Sequence, residues 1–98
     1  MTSIREVENL DITLAEPLDI TAVQSLHAEL KIALDSGASV SLDGAKVERI
    51  DSAAMQVLAA IFVYAKGHHI VLELRSPSKE LAQSAALLGM EEYIGIKN

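Results

Sequence analysis

Asp51 and Ser52 are the residues whose types and position most suggest chemistry. They stand directly before residues 53–65, an apolar run in which Gln56 is the only strongly polar side chain. A hydroxyl at the start of a buried helix can act as a nucleophile, cap the helix, or accept a phosphoryl group. Each of these three roles of Ser52 requires different neighbouring residues.

Nucleophilic catalysis by Ser52 would require a base to activate the hydroxyl and a third group to orient that base. The candidate bases are His27, His68 and His69. The last two lie at the far end of the predicted Ser52 helix, roughly 24 Å away at about 1.5 Å rise per residue. His27 lies within the preceding predicted helix, and residues 51–54 lack the G-x-S-x-G form of a nucleophile elbow. We therefore predict that the protein is not an enzyme.

The two other roles of Ser52, helix cap and phosphoryl acceptor, both stay open on the sequence alone. Ser and Asp are favoured at N-caps because a side-chain oxygen accepts an unpaired backbone N–H. A phosphate is also tolerated at a helix N-terminus, where free N–H groups and the positive end of the helix dipole meet it. Phosphorylation would add about −1.5 to −2 charge beside Asp51, which could dissociate a bound partner.

The composition disfavours several classes of partner and site. Eight Lys and Arg against fourteen Asp and Glu give a formal charge of −6, which disfavours nucleic acid and anionic membranes. The absence of Cys excludes disulfides and thiol sites. His68 and His69 are adjacent without a suitably spaced carboxylate, so they predict a solvated turn and no metal site. The five glycines are dispersed singly, so we expect no phosphate loop and no cofactor.

Membrane and export signals are also missing from the sequence pattern. The apolar run at residues 53–65 is shorter than the roughly 20 residues of a membrane-spanning helix. The first ten residues carry Arg5, Glu6 and Glu8 and no apolar signal core. We therefore expect a cytoplasmic protein that does not insert into a membrane.

The hydrophobic pattern predicts one α/β domain over residues 1–98. Strands are expected at residues 10–14, 40–42 and 70–74, with a weaker edge strand at 4–7. Each of the three helices has expected start and stop signals: Asp19 or Thr21 to Gly37, Ser52 to Gly67, and Ser76-Pro77 to Gly89. The order predicts a single layer of mostly parallel or mixed sheet, with four to five strands and helices packed on it.

Taken in order, these motifs resemble the STAS domain, the family of sulfate-transporter domains and anti-sigma-factor antagonists. The resemblance is carried by Val-Ser-Leu-Asp at 40–43, a short loop, and Ile-Asp-Ser-Ala-Ala-Met at 50–55. This is similar to the family's strand-Asp and hydrophobic-Asp-Ser-Ser-Gly-Leu signature, with Ala53, Ala54 and Met55 at the Ser, Gly and Leu positions. Flanking elements in the family's order extend the resemblance over roughly residues 8–94.

The resemblance implies a stand-alone bacterial regulator of the anti-sigma antagonist type. In such members the serine after the motif aspartate is phosphorylated by a kinase that is also the anti-sigma factor, and the unphosphorylated form binds that kinase. Here that serine is Ser52, and Asp51 is the neighbouring acid. The residues expected to contact the partner are Asp19, Asp43, Asp51, Ser52, Ala53, Met55 and Gln56.

Constitutive docking is the alternative that the family offers. Some STAS domains are docking subunits, such as the STAS partner of phospholipid-transport ABC systems, and others belong to chemotaxis or sensory complexes. In that case Ser52 or Asp51 would be only a cap or a fixed contact. An apolar strip on the Ser52 helix would also permit a homodimer.

Overall fold

Five strands and three helices form the part of the chain that the structure describes. The structure is a computed structural model that describes residues 9–96, except for the side chain of Leu34. The candidate edge strand at residues 4–7 lies outside the described residues. The elements, in chain order, are β1 (Asn9–Thr13), β2 (Pro17–Leu18), α1 (Ile20–Ser36), β3 (Ser39–Asp43), β4 (Arg49–Ile50), α2 (Ser52–Gly67), β5 (Leu72–Arg75) and α3 (Lys79–Leu88). The predicted α/β class, with helices packed on parallel strands, is confirmed.

The strands are arranged in two groups, and every pairing among the described residues is parallel. β1, β3 and β5 form a three-stranded sheet with β3 in the middle, while β2 and β4 form a separate pair. The sequence pattern did not predict β2 or β4, because strands of two residues are too short to show an alternation of apolar and polar side chains.

The three-stranded sheet has one buried face and one polar face. Val40 and Leu42 of the central strand are fully buried. On the opposite face, the Ser41 hydroxyl donates a hydrogen bond to Glu73 Oε2 at 2.7 Å. The sequence had predicted a buried strand at residues 70–74, but β5 starts at Leu72 and alternates half-buried with exposed positions. Purely parallel strands usually lie between two covering layers, but no helix among residues 9–96 covers the polar face of this sheet.

The first and third helices each begin with a side chain that accepts a hydrogen bond from a backbone N–H of the first turn. Asp19 Oδ1 accepts a hydrogen bond from the Ala22 amide at 2.9 Å, so Asp19 and not Thr21 caps α1. Ser78 caps α3 by accepting from the Leu81 amide at 3.0 Å. The prediction of a cap at Ser76 was therefore wrong by two residues, because the chain turns once more before the helix begins.

Two of the three predicted glycine stops have the expected backbone conformation. Gly37 and Gly89 have φ values of 76° and 69°, in the left-handed region where glycine ends helices. α2 differs, because Gly67 is its last helical residue, His68 is its C-cap, and His69 takes the positive φ of 59°. The helix therefore runs slightly past its predicted stop.

The core is mainly aliphatic, with Phe62 as its one buried aromatic residue among those described, and it is centred on α2. Seven residues of α2 are buried: Ala54, Met55, Leu58, Ala59, Ile61, Phe62 and Ala65. The helix contacts α1, α3 and β5, which accounts for an apolar surface around most of its circumference. It still exposes Val63 and Tyr64, at 53% and 48%, so part of its apolar surface has no covering layer among the described residues.

A close approach at Gly44 fixes the loop after β3. A Cβ atom at this position would lie 2.8 Å from Leu81 Cδ2, and Leu81 is fully buried. The Gly44 amide donates to the Arg75 carbonyl at 2.9 Å, and the Gly44 carbonyl accepts from the Ser78 amide at 3.0 Å. The loop that leads to β4 is thus held against the start of α3.

Candidate functional site

The β2–β4 pair brings the starts of α1 and α2 to the same place. Pro17 pairs with Arg49 and Leu18 pairs with Ile50, in parallel. The next residue along each strand is the aspartate that precedes a helix, Asp19 in one case and Asp51 in the other. Two helix N-termini, each with an adjacent carboxylate, therefore lie side by side although they are far apart in sequence.

Asp51 is the N-cap of α2. Its backbone is extended (φ −87°, ψ 165°), and its Oδ1 accepts a hydrogen bond from the Ala54 amide at 2.7 Å. Capping by Ser52, one of the two roles left open by the sequence, is therefore not observed. Because Asp51 supplies the acceptor, the hydroxyl of Ser52 is not needed to hold the helix.

Ser52 is the first residue of α2 and is exposed. In the part of the chain from residue 9 to residue 96, no hydrogen bond from its hydroxyl is found. The first backbone amides of a helix have no intrahelical acceptor, and at this end only the Ala54 amide is taken, by Asp51. The hydroxyl is thus accessible and lies at the positive end of the α2 dipole.

The expected partner contacts on α2 divide between exposed and buried positions. Ala53 and Gln56 are exposed and follow Ser52 on the outer side of the helix. Met55 is fully buried in the core, so its prediction as a direct contact is corrected. About half a helical turn separates the inward from the outward side of a helix, and Met55 lies on the inward side.

Asp43 shapes the loop between β3 and β4. It is half-buried, and its Oδ1 accepts a hydrogen bond from the Ala45 amide at 3.0 Å. This is the short-range bond by which aspartate stabilises a turn. Asp43 therefore stabilises the first turn of this loop, and its own carboxylate is partly engaged.

A polar depression lies on this loop, beside the start of α2. Its volume is about 780 Å³, and it is lined by two cations and three carboxylates together with small apolar groups: Glu16, Ala45, Lys46, Val47, Glu48, Arg49 and Glu80. The charged loop is visible in the sequence, but its proximity to Glu16 and Glu80 is not. The Glu48 and Arg49 amides both donate to the Glu16 carbonyl, at 2.8 and 3.2 Å, which brings Glu16 to the loop. The Ser78 amide donates to the Gly44 carbonyl at 3.0 Å, which brings the start of α3, and with it Glu80, to the same loop.

The histidines lie elsewhere and are not assembled with Ser52. His68 caps the opposite end of α2, and its Nδ1 lies 2.9 Å from the Tyr64 carbonyl oxygen. The His68 ring stacks on the Tyr64 ring, with centroids 3.9 Å apart. Between residues 9 and 96 no group of three or more His, Cys, Asp or Glu side chains is placed to hold a metal ion.

The described residues form an α/β domain with helices packed on parallel strands. Two of its helix starts are adjacent, and one of them carries the exposed Ser52. A family model described as "Mlab, STAS domain" matches residues 2–96. The chain therefore belongs to the STAS domain family, and the resemblance seen in the sequence is confirmed. No match was found among curated proteins. None of the helices described is long and apolar enough to cross a bilayer.

Proposed function

We propose that this protein is a regulatory STAS domain that binds a protein partner at the starts of α1 and α2 and is released by phosphorylation of Ser52. The partner expected is a serine kinase of the anti-sigma type or a sensory signalling protein. The contact residues are those exposed or partly exposed at this end of the molecule: Asp19, Asp43, Asp51, Ser52, Ala53 and Gln56. The proposal is supported by membership of the STAS family, whose domains generally have regulatory or docking roles.

The observation that carries the proposal is that Asp51 caps α2 while the adjacent Ser52 is exposed. Asp51 holds the helix through its 2.7 Å bond to the Ala54 amide. Ser52 is exposed beside it, so its hydroxyl can be modified without removing a structural hydrogen bond. A phosphorylation site that works as a switch has to change the surface while leaving the fold intact.

The charges around Ser52 explain how a phosphate would act. Asp51 adjoins it, and Asp19 starts the neighbouring helix through the β2–β4 register. A phosphate would add about two negative charges to a surface that already carries both carboxylates. A partner that fits the neutral hydroxyl would then face like-charge repulsion and would have to desolvate the phosphate, both of which weaken binding.

The test begins with capture of the tagged protein from its native cell, followed by mass spectrometry of both the partner and the Ser52 peptide. The purified partner is then titrated with wild type, Ser52→Asp and Ser52→Ala. We expect Ser52→Asp to weaken binding at least about tenfold, which corresponds to about 1.4 kcal/mol, and Ser52→Ala to bind nearly as well as wild type.

Ser25→Asp is the matched control, because Ser25 is exposed in the second turn of α1, is not one of the proposed contact residues, and receives the same charge. It should bind like wild type. Equal binding by Ser52→Asp and Ser52→Ala would contradict the switch, as would an equal loss with Ser25→Asp.

A second candidate function is constitutive docking within a transporter or sensory complex. The family description that matches the chain favours it, as does Ala53 in place of a second motif serine. It predicts a partner such as the nucleotide-binding subunit of an ABC system, with no phosphate on Ser52 in the captured protein. Ser52 and Asp51 would then be fixed contacts.

Two further parts of the proposal concern context. We treat residues 1–98 as one domain, which limited proteolysis would test by yielding a single resistant core. We also place the protein in the cytoplasm, where a kinase or an ABC nucleotide-binding subunit would meet it, and cell fractionation would test this.

A further inference from the structure

A cavity of about 460 Å³ lies between α1 and α2. Its lining is mainly apolar and contains none of the proposed partner-contact residues. Leu30 and Ile61, from the two helices, and Leu72, from β5, belong to this lining. We call this cavity the α1–α2 groove. Its volume is within the range of about 300–1,000 Å³ that is typical of small-molecule sites, and such sites usually combine an apolar lining with few polar groups.

The polar side chains that line the α1–α2 groove include one lysine, Lys31. Gln24, His27 and Lys31 come from α1, and Tyr64 comes from α2. No carboxylate belongs to the lining, although fourteen Asp and Glu give the whole chain its charge of −6. Within residues 9–96 the one ion pair joins Asp11 to Arg75, so no described carboxylate neutralises Lys31 at salt-bridge distance.

The groove also has a direction. Ile20, Gln24, His27 and Lys31 follow one another along one side of α1 at helical spacing, and at 1.5 Å per residue they extend over roughly 16 Å. The end near Ile20 is apolar, and the end near Lys31 carries the cation. Tyr64, which is stacked on His68 at 3.9 Å between centroids, lies on the α2 side of the groove.

We propose that the α1–α2 groove binds a free long-chain carboxylate, with its alkyl chain along the apolar lining and its carboxylate facing Lys31. The hydrophobic effect would supply most of the affinity at about 25 cal/mol per Å² of buried apolar surface. Lys31 would supply the preference for an anionic head group. This inference does not depend on phosphorylation of Ser52.

The volume and the length suit a single alkyl chain. The lining along α1 extends over roughly 16 Å, and the cavity offers about 460 Å³. A single alkyl chain can fill a narrow groove of this length without displacing either helix.

Binding is measured by calorimetry and by amide NMR titration with dodecanoate, kept below its micelle concentration. We expect saturable binding of one dodecanoate per protein, with chemical-shift changes concentrated at groove residues such as Leu30, Lys31 and Tyr64. Dodecanol serves as the neutral comparison. It should bind more weakly to wild type, because it lacks the charge that Lys31 recognises.

Two variants separate the charge from the cavity, and each has a control. Lys31→Glu should weaken dodecanoate binding about three- to tenfold. An exposed ion pair is worth up to about 1 kcal/mol, and replacing the cation by a carboxylate adds repulsion to that loss. Dodecanol binding should stay unchanged. Lys79→Glu makes the same charge change at the exposed start of α3 and should have no effect. Ala60→Leu adds three carbon atoms to the lining and so narrows the groove. It should weaken both ligands about tenfold or more, since even one extra methylene in an apolar pocket changes binding by about that factor. Ala28→Leu, at an exposed α1 position outside the groove, should not.

The proposal is overturned by absence of saturable binding, by chemical-shift changes spread away from the groove, or by equal loss with Lys79→Glu and Lys31→Glu. Concentration-dependent dimerisation that shifts the groove amides without dodecanoate would also overturn it, since a second copy would then be the occupant. Thermal unfolding of each variant establishes that a loss of binding is not a loss of fold.

Discussion

Replacing Asp51 and Ser52 separately tests which of these adjacent residues holds α2. Asp51 accepts the Ala54 amide at 2.7 Å, and losing such a cap costs about 1 kcal/mol, within about 0.5–2. Its negative charge at the helix N-terminus adds about 0.3–1 kcal/mol. We therefore expect Asp51→Ala to lower the free energy of unfolding by about 1–2.5 kcal/mol, and Ser52→Ala to change it by less than about 0.5 kcal/mol.

Asp51→Asn separates the hydrogen bond from the charge. Asn retains a side-chain oxygen that can accept the Ala54 amide, so this variant should lose only the charge contribution of about 0.3–1 kcal/mol. The expected order of stability is Ser52→Ala, then Asp51→Asn, then Asp51→Ala.

The assay is urea unfolding followed by circular dichroism, with all curves fitted to comparable m-values. For a chain of 98 residues, each kcal/mol should shift the melting temperature by about 4–8 °C. The reasoning is refuted if Ser52→Ala destabilises the protein as much as Asp51→Ala. It is also refuted if Asp51→Asn and Asp51→Ala are equally unstable, because the hydrogen bond would then contribute nothing.

Three further predictions concern packing and surface charge. Gly44→Ala should destabilise the protein by about 1–3 kcal/mol through overpacking, since its methyl group would lie 2.8 Å from Leu81. Gly67→Ala is the control, because a Cβ atom there would meet no atom of a neighbouring segment within 4 Å, and it should be neutral or slightly stabilising. Urea unfolding compares the two variants. Met55→Ala should cost about 2–5 kcal/mol because the side chain is fully buried, and partner binding by the folded fraction, measured at low temperature, should be retained. Arg75→Ala should cost less than about 1 kcal/mol in thermal unfolding, because its 3.4 Å pair with Asp11 is exposed; a larger loss would contradict the view of that pair as a weak surface contact.

The main elements of the fold could be predicted because each is long enough to show its period. α1 carries apolar residues at helical spacing, α2 is a long apolar run between a capping aspartate and a glycine, and the residues of β3 alternate in burial. Gly37 and Gly89 end helices for a reason visible in the sequence, since glycine readily takes a positive φ. These features depend on local sequence.

The features that could not be predicted depend on contacts between distant segments. Choosing Asp51 over Ser52 as the cap requires the backbone geometry at the helix start, since both side chains suit the role. The neighbouring positions of Asp19 and Asp51 follow from the β2–β4 register, and neither strand is long enough to be recognised. Lys31 and Tyr64 are likewise 33 positions apart, and only the packing of α1 against α2 brings them to one groove.

The brevity of the β2–β4 pair has a consequence for how the proposed binding surface behaves. Two residues on each side, together with the Glu16 carbonyl that accepts the Glu48 and Arg49 amides, align the starts of α1 and α2. So few bonds can open locally at a lower free energy than the three-stranded sheet. A partner that contacts both helix starts would stabilise the paired form of β2 and β4, since a ligand that binds only one form of a protein shifts the equilibrium toward it. Part of the partner's binding free energy would then be used to keep the starts of α1 and α2 aligned.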